Sequence, residues 1–304
     1  MNFVIGQICP VFYEILFYND KTCKKEKKMS KQIEVTQLSK SFNGSPALDN
    51  ISFSLDKGQI FGFLGPSGAG KTTTINILTG QLRADSGVAT IFGKDVSSLT
   101  KHDFKRIGIM SDVVGFYDKM SVEDNLIFFA KFHRVPIEVV YDFLDKLDLY
   151  KDRKKKAETL SVGMKQRLLL IRAILHQPDI VFLDEPTSGM DPTLAQKVHD
   201  ILIDLKKNGT TIFLTTHNML EASKICDRIT ILHKGQIVEN GSPSDIIARH
   251  SKQDAIELTY ASGKKIMVVK SNLKNYLDHD IVSMHTYETS LETIFIKLTE
   301  ENHG

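Results

Sequence analysis

The stretch LGPSGAGKTTT, residues 64–74, constrains the fold of this chain more than any other. It follows the apolar run QIFGFL and leads into TTTINILTG, which predicts a strand, a glycine-rich turn and a helix in direct succession. Residues 65–72 fit the pattern G-x-x-x-x-G-K-[ST], whose glycines let backbone N–H groups turn inward around phosphate oxygens. The positive end of the following helix points the same way. We therefore expect a phosphate-binding loop and not a glycine-rich surface turn.

Two stretches supply the polar groups that nucleotide chemistry requires. In the loop, Lys71 is expected to reach the β- and γ-phosphates, and the Thr72 hydroxyl is expected to bind Mg²⁺. The expected nucleotide contacts are Gly65, Pro66, Ser67, Gly68, Ala69, Gly70, Lys71, Thr72 and Thr73. Farther along, Asp184 ends the apolar run IVFL, where the carboxyl end of a strand favours a Mg²⁺ ligand. Glu185 follows it and is placed to act as a general base toward water.

The remaining pattern indicates an α/β protein. The runs DIVFLDEP and TTIFLTTH are apolar almost throughout and alternate with helical patterns, as in a parallel sheet buried on both faces. Residues 121–150 change character, because their apolar positions recur at helical spacing, with Pro136 opening the second of two helices. We expect a helical insertion in an α/β frame.

Composition limits the environment and the partners. The net charge is +2, from 39 basic and 37 acidic residues, which gives no reason to expect a nucleic-acid partner. The three cysteines, Cys9, Cys23 and Cys226, are few and widely spaced, which favours a reducing compartment. No run approaches the roughly 20 apolar residues that cross a bilayer. We expect a cytoplasmic protein that does not span the membrane.

Residues 1–28 do not share this pattern, and three interpretations are open. The run FVIGQICPVFYEILFY followed by KTCKKEKK fits an interfacial amphipathic anchor backed by lysines. It also fits a flexible tail. We favour the third interpretation, in which translation begins at Met29 and KKEKKM is a ribosome-binding site read in frame.

Three further stretches identify the chain as a member of the ABC-type ATPases. LSVGMKQR at 160–167 resembles the LSGGQ signature, TSGMDP at 187–192 resembles the D-loop, and TTH at 215–217 resembles the switch histidine of that family. Their order and spacing match the family from about residue 32 to 257. The resemblance implies that His217 contacts the γ-phosphate and the attacking water, and that Phe42, in KSFNG, stacks on adenine. Plain core packing of Phe42 is the alternative.

The resemblance also implies an assembly. Ser161 can cap a helix beginning near Val162, so the end of that helix is an anion site, and Ser161 and Gly163 would face ATP bound by a second subunit. Two ATP molecules, each with Mg²⁺, would lie between two ATP-binding subunits in a head-to-tail dimer, formed with itself or with a paralogue. An integral membrane permease would hold the dimer on the inner face of the cell membrane.

The implied fold is a P-loop NTPase (RecA-like) core with a mainly parallel sheet, an antiparallel β subdomain and an inserted α-helical subdomain. The ATPase domain would cover 32–257, with the helical subdomain at about 112–165. Residues 258–304 would form a small α+β accessory segment, and 1–28 an upstream extension or tail.

The expected function is ATP hydrolysis to ADP and phosphate, coupled to transport through the permease. The GMKQR form and the ending SLETIFIKLTEE resemble exporters of the ABC-2 type, which favours export of an unspecified substrate. The alternative is a soluble ABC ATPase, for example of the iron–sulfur assembly type. A regulatory subunit that does not hydrolyse ATP is disfavoured, because Lys71, Asp184, Glu185 and His217 are all present.

Two positions depart from the family pattern. Val162 stands where the signature usually has its first glycine, so the site must accept a φ below zero there. Asp112 stands where the family places a glutamine that bridges Mg²⁺, water and the helical subdomain. Asp112 either binds the metal directly or faces solvent, and the sequence leaves both interpretations open.

Overall fold

Across the residues that the structure describes, the chain folds into three sheets and a set of covering helices. The computed structural model describes residues 31–111, 115–251, 255–277, 280–286 and 290–300, so residues 1–28 and Asp112 lie outside the described part. Within these ranges the strands are β1 (Lys31–Phe42), β2 (Ser45–Asp56), β3 (Ile60–Leu64), β4 (Ser86–Ile91), β5 (Lys94–Asp95), β6 (Ile107–Met110), β7 (Ile180–Asp184), β8 (Thr211–Thr216), β9 (Arg228–His233), β10 (Gln236–Gly241), β11 (Ala255–Tyr260), β12 (Lys265–Val269) and β13 (Ile281–Thr286). The α-helices are α1 (Lys71–Leu78), α2 (Lys101–Phe104), α3 (Val122–His133), α4 (Ile137–Lys146), α5 (Val162–Ile174), α6 (Pro192–Lys207), α7 (Met219–Ile225), α8 (Pro243–His250) and α9 (Leu291–Glu300).

The central sheet has six strands in the order β10-β9-β3-β8-β7-β6. Neighbouring strands are parallel except β9 and β10, which form an antiparallel hairpin. Every residue of β3 and β8 is buried, because both faces of the sheet are covered. The mainly parallel sheet that the apolar runs predicted is confirmed.

The side chains of β3 show how the two faces differ. Ile60 and Leu64 face a core that includes residues of α5, α6 and α7. Phe61 and Phe63 face the opposite core, which includes residues of α1 and of the second sheet. Successive residues of a strand point to opposite faces, so a run without polar residues must be covered on both sides.

The second sheet is antiparallel and has the order β2-β1-β4-β5. Phe53 of β2 joins it to the central sheet, since its ring centroid lies 5.5 Å from that of Phe61, 5.3 Å from Phe63 and 6.0 Å from Phe213. Offset and tilted aromatic contacts at these distances stabilise a core beyond the area that they bury. The predicted antiparallel β subdomain is therefore present.

Helices α3 and α4 form the helical insertion predicted over residues 121–150, and α5 follows them. Pro136 is the residue before α4 and not its first residue, because its ψ of 142° is extended. Arg167 on α5 donates to the backbone oxygen of Leu147 at 2.7 Å, which ties the end of α4 to α5. Helix α5 continues to Ile174, so it extends past residue 165, the expected limit of the helical subdomain.

The C-terminal part consists of a small sheet and a helix. Strands β12, β11 and β13 pair in that order, and β11 spans the expected domain boundary at residue 257. Helix α9 packs against α7 and α8 through the buried Leu291 and Ile294. No helix in the described ranges is both long enough and apolar enough to cross a membrane.

Candidate nucleotide site at the carboxyl end of the central sheet

The loop between β3 and α1 has a backbone that requires glycine at particular positions. Gly68 and Gly70 have φ values of +78° and +111°, a region that residues with a Cβ rarely adopt. A Cβ on Gly70 would lie 2.5 Å from the oxygen of Ala47, and one on Gly65 would lie 2.4 Å from the oxygen of Leu232. The loop therefore lies tightly against its neighbours, and it leads into the start of α1, where backbone N–H groups can bind an anion.

Lys71 is the first residue of α1, and its ammonium folds back over the loop. Its Nζ donates to the oxygen of Gly65 at 2.8 Å and to that of Pro66 at 3.2 Å. The same Nζ lies 3.8 Å from Oε1 of Glu185. The side chain is almost completely buried, so its charge acts in a poorly solvated environment where attraction to an anion is strong.

Thr72 and Asp184 form an oxygen-rich pair beside that lysine. The Thr72 hydroxyl donates to Oδ2 of Asp184 at 3.0 Å, across the gap between α1 and the end of β7. Thr215, at the end of β8, donates its hydroxyl to the other carboxylate oxygen, Oδ1. A hydroxyl and a carboxylate at this place are hard oxygen donors of the kind that Mg²⁺ prefers. The residues present fit a magnesium ion.

Glu185 adopts a left-handed backbone conformation immediately after β7. Its φ is +51°, which is strained for a residue with a side chain. The Glu185 N–H donates to the Thr215 backbone oxygen at 3.1 Å and to the Thr215 hydroxyl oxygen at 3.2 Å, which holds this conformation. The side chain is thereby turned toward His217, whose Nδ1 lies 2.8 Å from Glu185 Oε2.

The signature stretch begins α5. The Ser161 side chain accepts from the N–H of Met164 at 3.3 Å and so caps the helix. Gly163 lies close to the D-loop stretch, because a Cβ there would be 2.8 Å from the oxygen of Gly189. Val162 is the first helical residue and has a negative φ, which a β-branched residue accepts. Its side chain is 68% exposed, which is unusual for valine.

The structure thus brings together Lys71, Thr72, Asp184, Glu185 and His217. Within the described residues, neither Ser161 nor Gly163 is hydrogen-bonded to any of these five.

Phe42 lies at the end of β1, and its ring is not part of the core. The side chain is 45% exposed, and the Lys40 ammonium lies 5.6 Å from its ring centroid. Asp85 accepts from Lys40 at 2.6 Å and from the Ser41 N–H at 2.7 Å, which fixes this end of the strand. An exposed ring on a fixed strand end can stack on a nucleobase.

Sequence comparison gives the family. A profile of the ABC transporter family matches residues 48–188. The fluoroquinolones export ATP-binding protein of Mycobacterium tuberculosis is 35% identical over 265 residues, which cover 84% of this chain and 88% of that protein. The chain belongs to the ABC transporter ATP-binding proteins. The bacitracin transport ATP-binding protein BcrA of Bacillus licheniformis is 32% identical and is matched over 83% of each chain. The Nod factor export ATP-binding protein I of Burkholderia lata is 31% identical over 84% of each.

Solved structures agree with this assignment. One ATP-binding subunit of an ABC transporter superposes with a TM-score of 0.65 at 25% identity, covering 72% of this chain and 92% of that one. An ATP-binding cassette in its ADP conformation gives a TM-score of 0.60 at 25% identity, covering 71% and 92%. The predicted P-loop NTPase fold is confirmed. As an ABC transporter ATP-binding protein, the chain binds and hydrolyses ATP, and the soluble alternative gains no support.

Sequence reasoning missed Thr215 as a residue of the site. In the sequence Thr215 belongs to the TTH stretch, which points to His217 and not to Thr215. The contacts of Thr215 with Asp184 and Glu185 depend on which strands are neighbours in the sheet. The sequence signal that could have identified Thr215 is its position as a polar residue near the end of β8, at the same carboxyl edge of the sheet as Asp184 on β7.

Proposed function

We propose that this protein energises export through a separately encoded membrane permease, by ATP hydrolysis at the Lys71, Thr72, Asp184, Glu185 and His217 cluster. The observation that carries the proposal is the Glu185–His217 contact at 2.8 Å, directly beside the Lys71 ammonium. The export direction is supported by the relatives from Mycobacterium tuberculosis and Burkholderia lata, both named as export ATP-binding proteins.

The chemistry follows from which groups donate and which accept. The loop N–H groups and the Lys71 ammonium would bind the β- and γ-phosphates, with Lys71 exchanging its bonds to Gly65 and Pro66 for phosphate oxygens. Glu185 would accept a proton from the attacking water as general base. An ionised carboxylate only accepts, so His217 Nδ1 carries a hydrogen toward Glu185 and holds that carboxylate in place.

Magnesium is part of the proposal. Thr72 Oγ1 and Asp184 would hold it, and when bound it supplies Lewis-acid charge beside the phosphates. Thr215 would keep the Asp184 carboxylate turned toward that position. Asp112, as a metal ligand or as a solvent-facing residue, stays a prediction from sequence, because it lies outside the described ranges.

The exposed N-terminal end of α5 supports a dimer of two ATP-binding subunits. A capped helix end next to the 68% exposed Val162 presents N–H groups and apolar surface to a partner. A second ATP-binding subunit, placed head to tail, would set its own bound ATP against Ser161 and Gly163. Phe42 would stack on the adenine of the ATP in its own subunit.

Location and domain limits complete the proposal. The protein would lie in the cytoplasm against the inner face of the membrane, held there by the permease. The ATPase domain would occupy about residues 32–257, the helical subdomain about 112–165 and the accessory segment 258–304.

The test is purification of tagged Glu185→Gln protein from native membranes in Mg-ATP, followed by mass spectrometry. A protein that binds but does not hydrolyse ATP should stay in its closed assembly, so a stoichiometric multi-spanning protein should be recovered with it. The Lys71→Ala protein, prepared in the same way, serves as the control that cannot close on ATP. Recovery of soluble partners alone would overturn the transporter proposal.

A further inference from the structure

A buried cluster outside the nucleotide site joins three elements that lead into that site. Glu221 on α7 is only 3% exposed, and its Oε1 accepts from the Thr187 hydroxyl at 2.8 Å. The same oxygen lies 3.0 Å from Nε2 of His199 on α6, which is 7% exposed. One carboxylate oxygen thus connects α7, α6 and the loop that follows Glu185.

The charge state of the cluster follows from its surroundings. Burial raises the pKa of Glu221, but hydrogen bonds from His199, Thr216 and Thr187 outweigh burial and leave that pKa below its ordinary value. The carboxylate is therefore ionised at neutral pH and can only accept. His199 must then carry its hydrogen on Nε2, and Thr187 must donate its hydroxyl.

Through Thr187, the cluster is connected to Glu185, the proposed base. Thr187 is the second residue after Glu185, in a turn where the Ser188 N–H donates to the Glu185 oxygen at 3.1 Å. The Met190 N–H donates to the Thr187 oxygen at 3.2 Å, which continues the turn. A displacement of Thr187 would therefore displace the backbone that aims Glu185.

Through Asn218, the start of α7 is connected to the segment that carries His217. The Glu221 N–H donates to the Asn218 side chain at 3.1 Å, and the Asn218 N–H donates to the Thr216 hydroxyl oxygen at 3.0 Å. These bonds fix the start of α7 on both sides of His217. The distance between His217 Nδ1 and Glu185 Oε2 therefore depends on two segments that both lead to Glu221.

We infer that Glu221, oriented by His199, is a positioning residue that sets the geometry between Glu185 and His217 by holding Thr187 against α7. The inference rests on the proposed function, since it presumes that Glu185 and His217 act on the γ-phosphate. An apolar side chain would fill the same space at lower desolvation cost, so packing does not explain a buried carboxylate here. What the carboxylate supplies is a fixed direction for two donors, and geometry of this kind strongly affects reaction rates.

The experiment measures kcat, KM for ATP, nucleotide affinity and thermal stability of the full chain for Glu221→Leu, which removes the accepting oxygen, for Thr187→Val and for the double variant. Each single variant should lower kcat about tenfold or more, while KM and the ATP dissociation constant stay within about twofold. The double variant should be no slower than the slower single variant, because both changes break one connection.

The matched control is Glu239→Leu. Glu239 is a partly buried carboxylate that contacts two side chains, Arg249 at 2.6 Å and His250 at 2.6 Å, but it lies on β10 beside α8. This variant should lose stability without losing kcat. If Glu221→Leu does not fold, Thr187→Val decides alone, because Thr187 is only half-buried and valine has its shape.

Two outcomes would overturn the inference. Either kcat is unchanged in Thr187→Val, or the losses in the two single variants add and follow thermal stability as in Glu239→Leu. Glu185→Gln is measured in the same series to distinguish failure of the proposed function from failure of the inference about Glu221. If Glu185→Gln hydrolyses ATP normally, the proposed function fails; if it is inactive while Thr187→Val is normal, only the inference fails.

Discussion

Asp184 and Thr215 face each other across the neighbouring parallel strands β7 and β8, and the Thr215 hydroxyl donates to the Asp184 carboxylate. The same hydroxyl oxygen accepts from the Glu185 N–H at 3.2 Å. One buried hydroxyl thus orients the carboxylate proposed to bind Mg²⁺ and the backbone of the proposed base.

Replacing Thr215 with valine should slow ATP hydrolysis more than it weakens ATP binding. Valine keeps the shape but removes both hydrogen bonds, which leaves the strained Glu185 backbone with one partner fewer. We expect kcat to fall about tenfold or more and the free energy of unfolding to fall by about 1–3 kcal/mol. Steady-state ATPase assays and urea denaturation measure the two effects.

Thr211→Val is the control for that substitution. Thr211 lies at the opposite end of β8, is fully buried, and accepts from the Gly58 N–H at 3.0 Å. Its loss should lower stability by a similar amount and leave kcat unchanged. Equal effects of the two substitutions on kcat would show that Thr215 has no special role in orienting the site.

The phosphate loop offers a comparison between two glycines. Gly68→Ala should cost about 1–2 kcal/mol of unfolding free energy, because its φ is positive but open space surrounds it. Gly70→Ala should cost clearly more, since the added Cβ would also lie 2.5 Å from the Ala47 oxygen. Denaturation in the absence of nucleotide measures both, and equal losses would contradict the close approach seen here.

Lys71→Ala and Glu185→Gln should separate ATP binding from ATP hydrolysis. Lys71→Ala removes the ammonium that would neutralise the phosphates, so nucleotide affinity should fall by more than tenfold. Glu185→Gln keeps the side-chain volume but removes the base, so ATP should bind, hold the dimer together and remain intact. Nucleotide titration and size-exclusion chromatography in Mg-ATP test this. Near-normal turnover of Glu185→Gln would refute the assignment of the base.

His176 makes stability depend on pH. Its ring stacks on that of His133 with centroids 4.0 Å apart, and burial, followed by the neighbouring His133, lowers the pKa of His176 to about 4. The unfolded chain has an ordinary histidine pKa near 6.5, so between these values the unfolded state binds the proton more tightly. This contribution to stability is therefore complete above about pH 6.5 and declines as the pH falls toward 4.

The corresponding variant is His176→Phe, which keeps an aromatic ring beside His133 but cannot be protonated. Between pH 7 and pH 5 the wild-type protein should lose about 1–2 kcal/mol more unfolding free energy than the variant. Urea denaturation at the two pH values gives the difference. The same pH dependence in both proteins would place the titrating group elsewhere.

Much of the fold and of the site was predictable, because the signals are local in the sequence. The glycine loop fits one backbone path, and apolar runs bounded by turns predicted β3, β7 and β8 to within a residue or two. The ends of helices and strands were less predictable where the backbone conformation or the pairing with another strand determines them. Pro136 precedes α4 because its own ψ is extended, and β1 extends to Phe42 because it pairs with β2.

The sequence by itself determined the order of the motifs, the chemistry of Lys71, Asp184 and Glu185, and the family. Only the tertiary structure decided which polar residues meet. Thr215 reaches Asp184 because β8 lies beside β7 in one register, and Glu221 reaches His199 and Thr187 because the fold brings the start of α7 close to α6 and to the loop after Glu185. These contacts depend on strand pairing and helix packing between distant segments, which no local pattern of residues specifies.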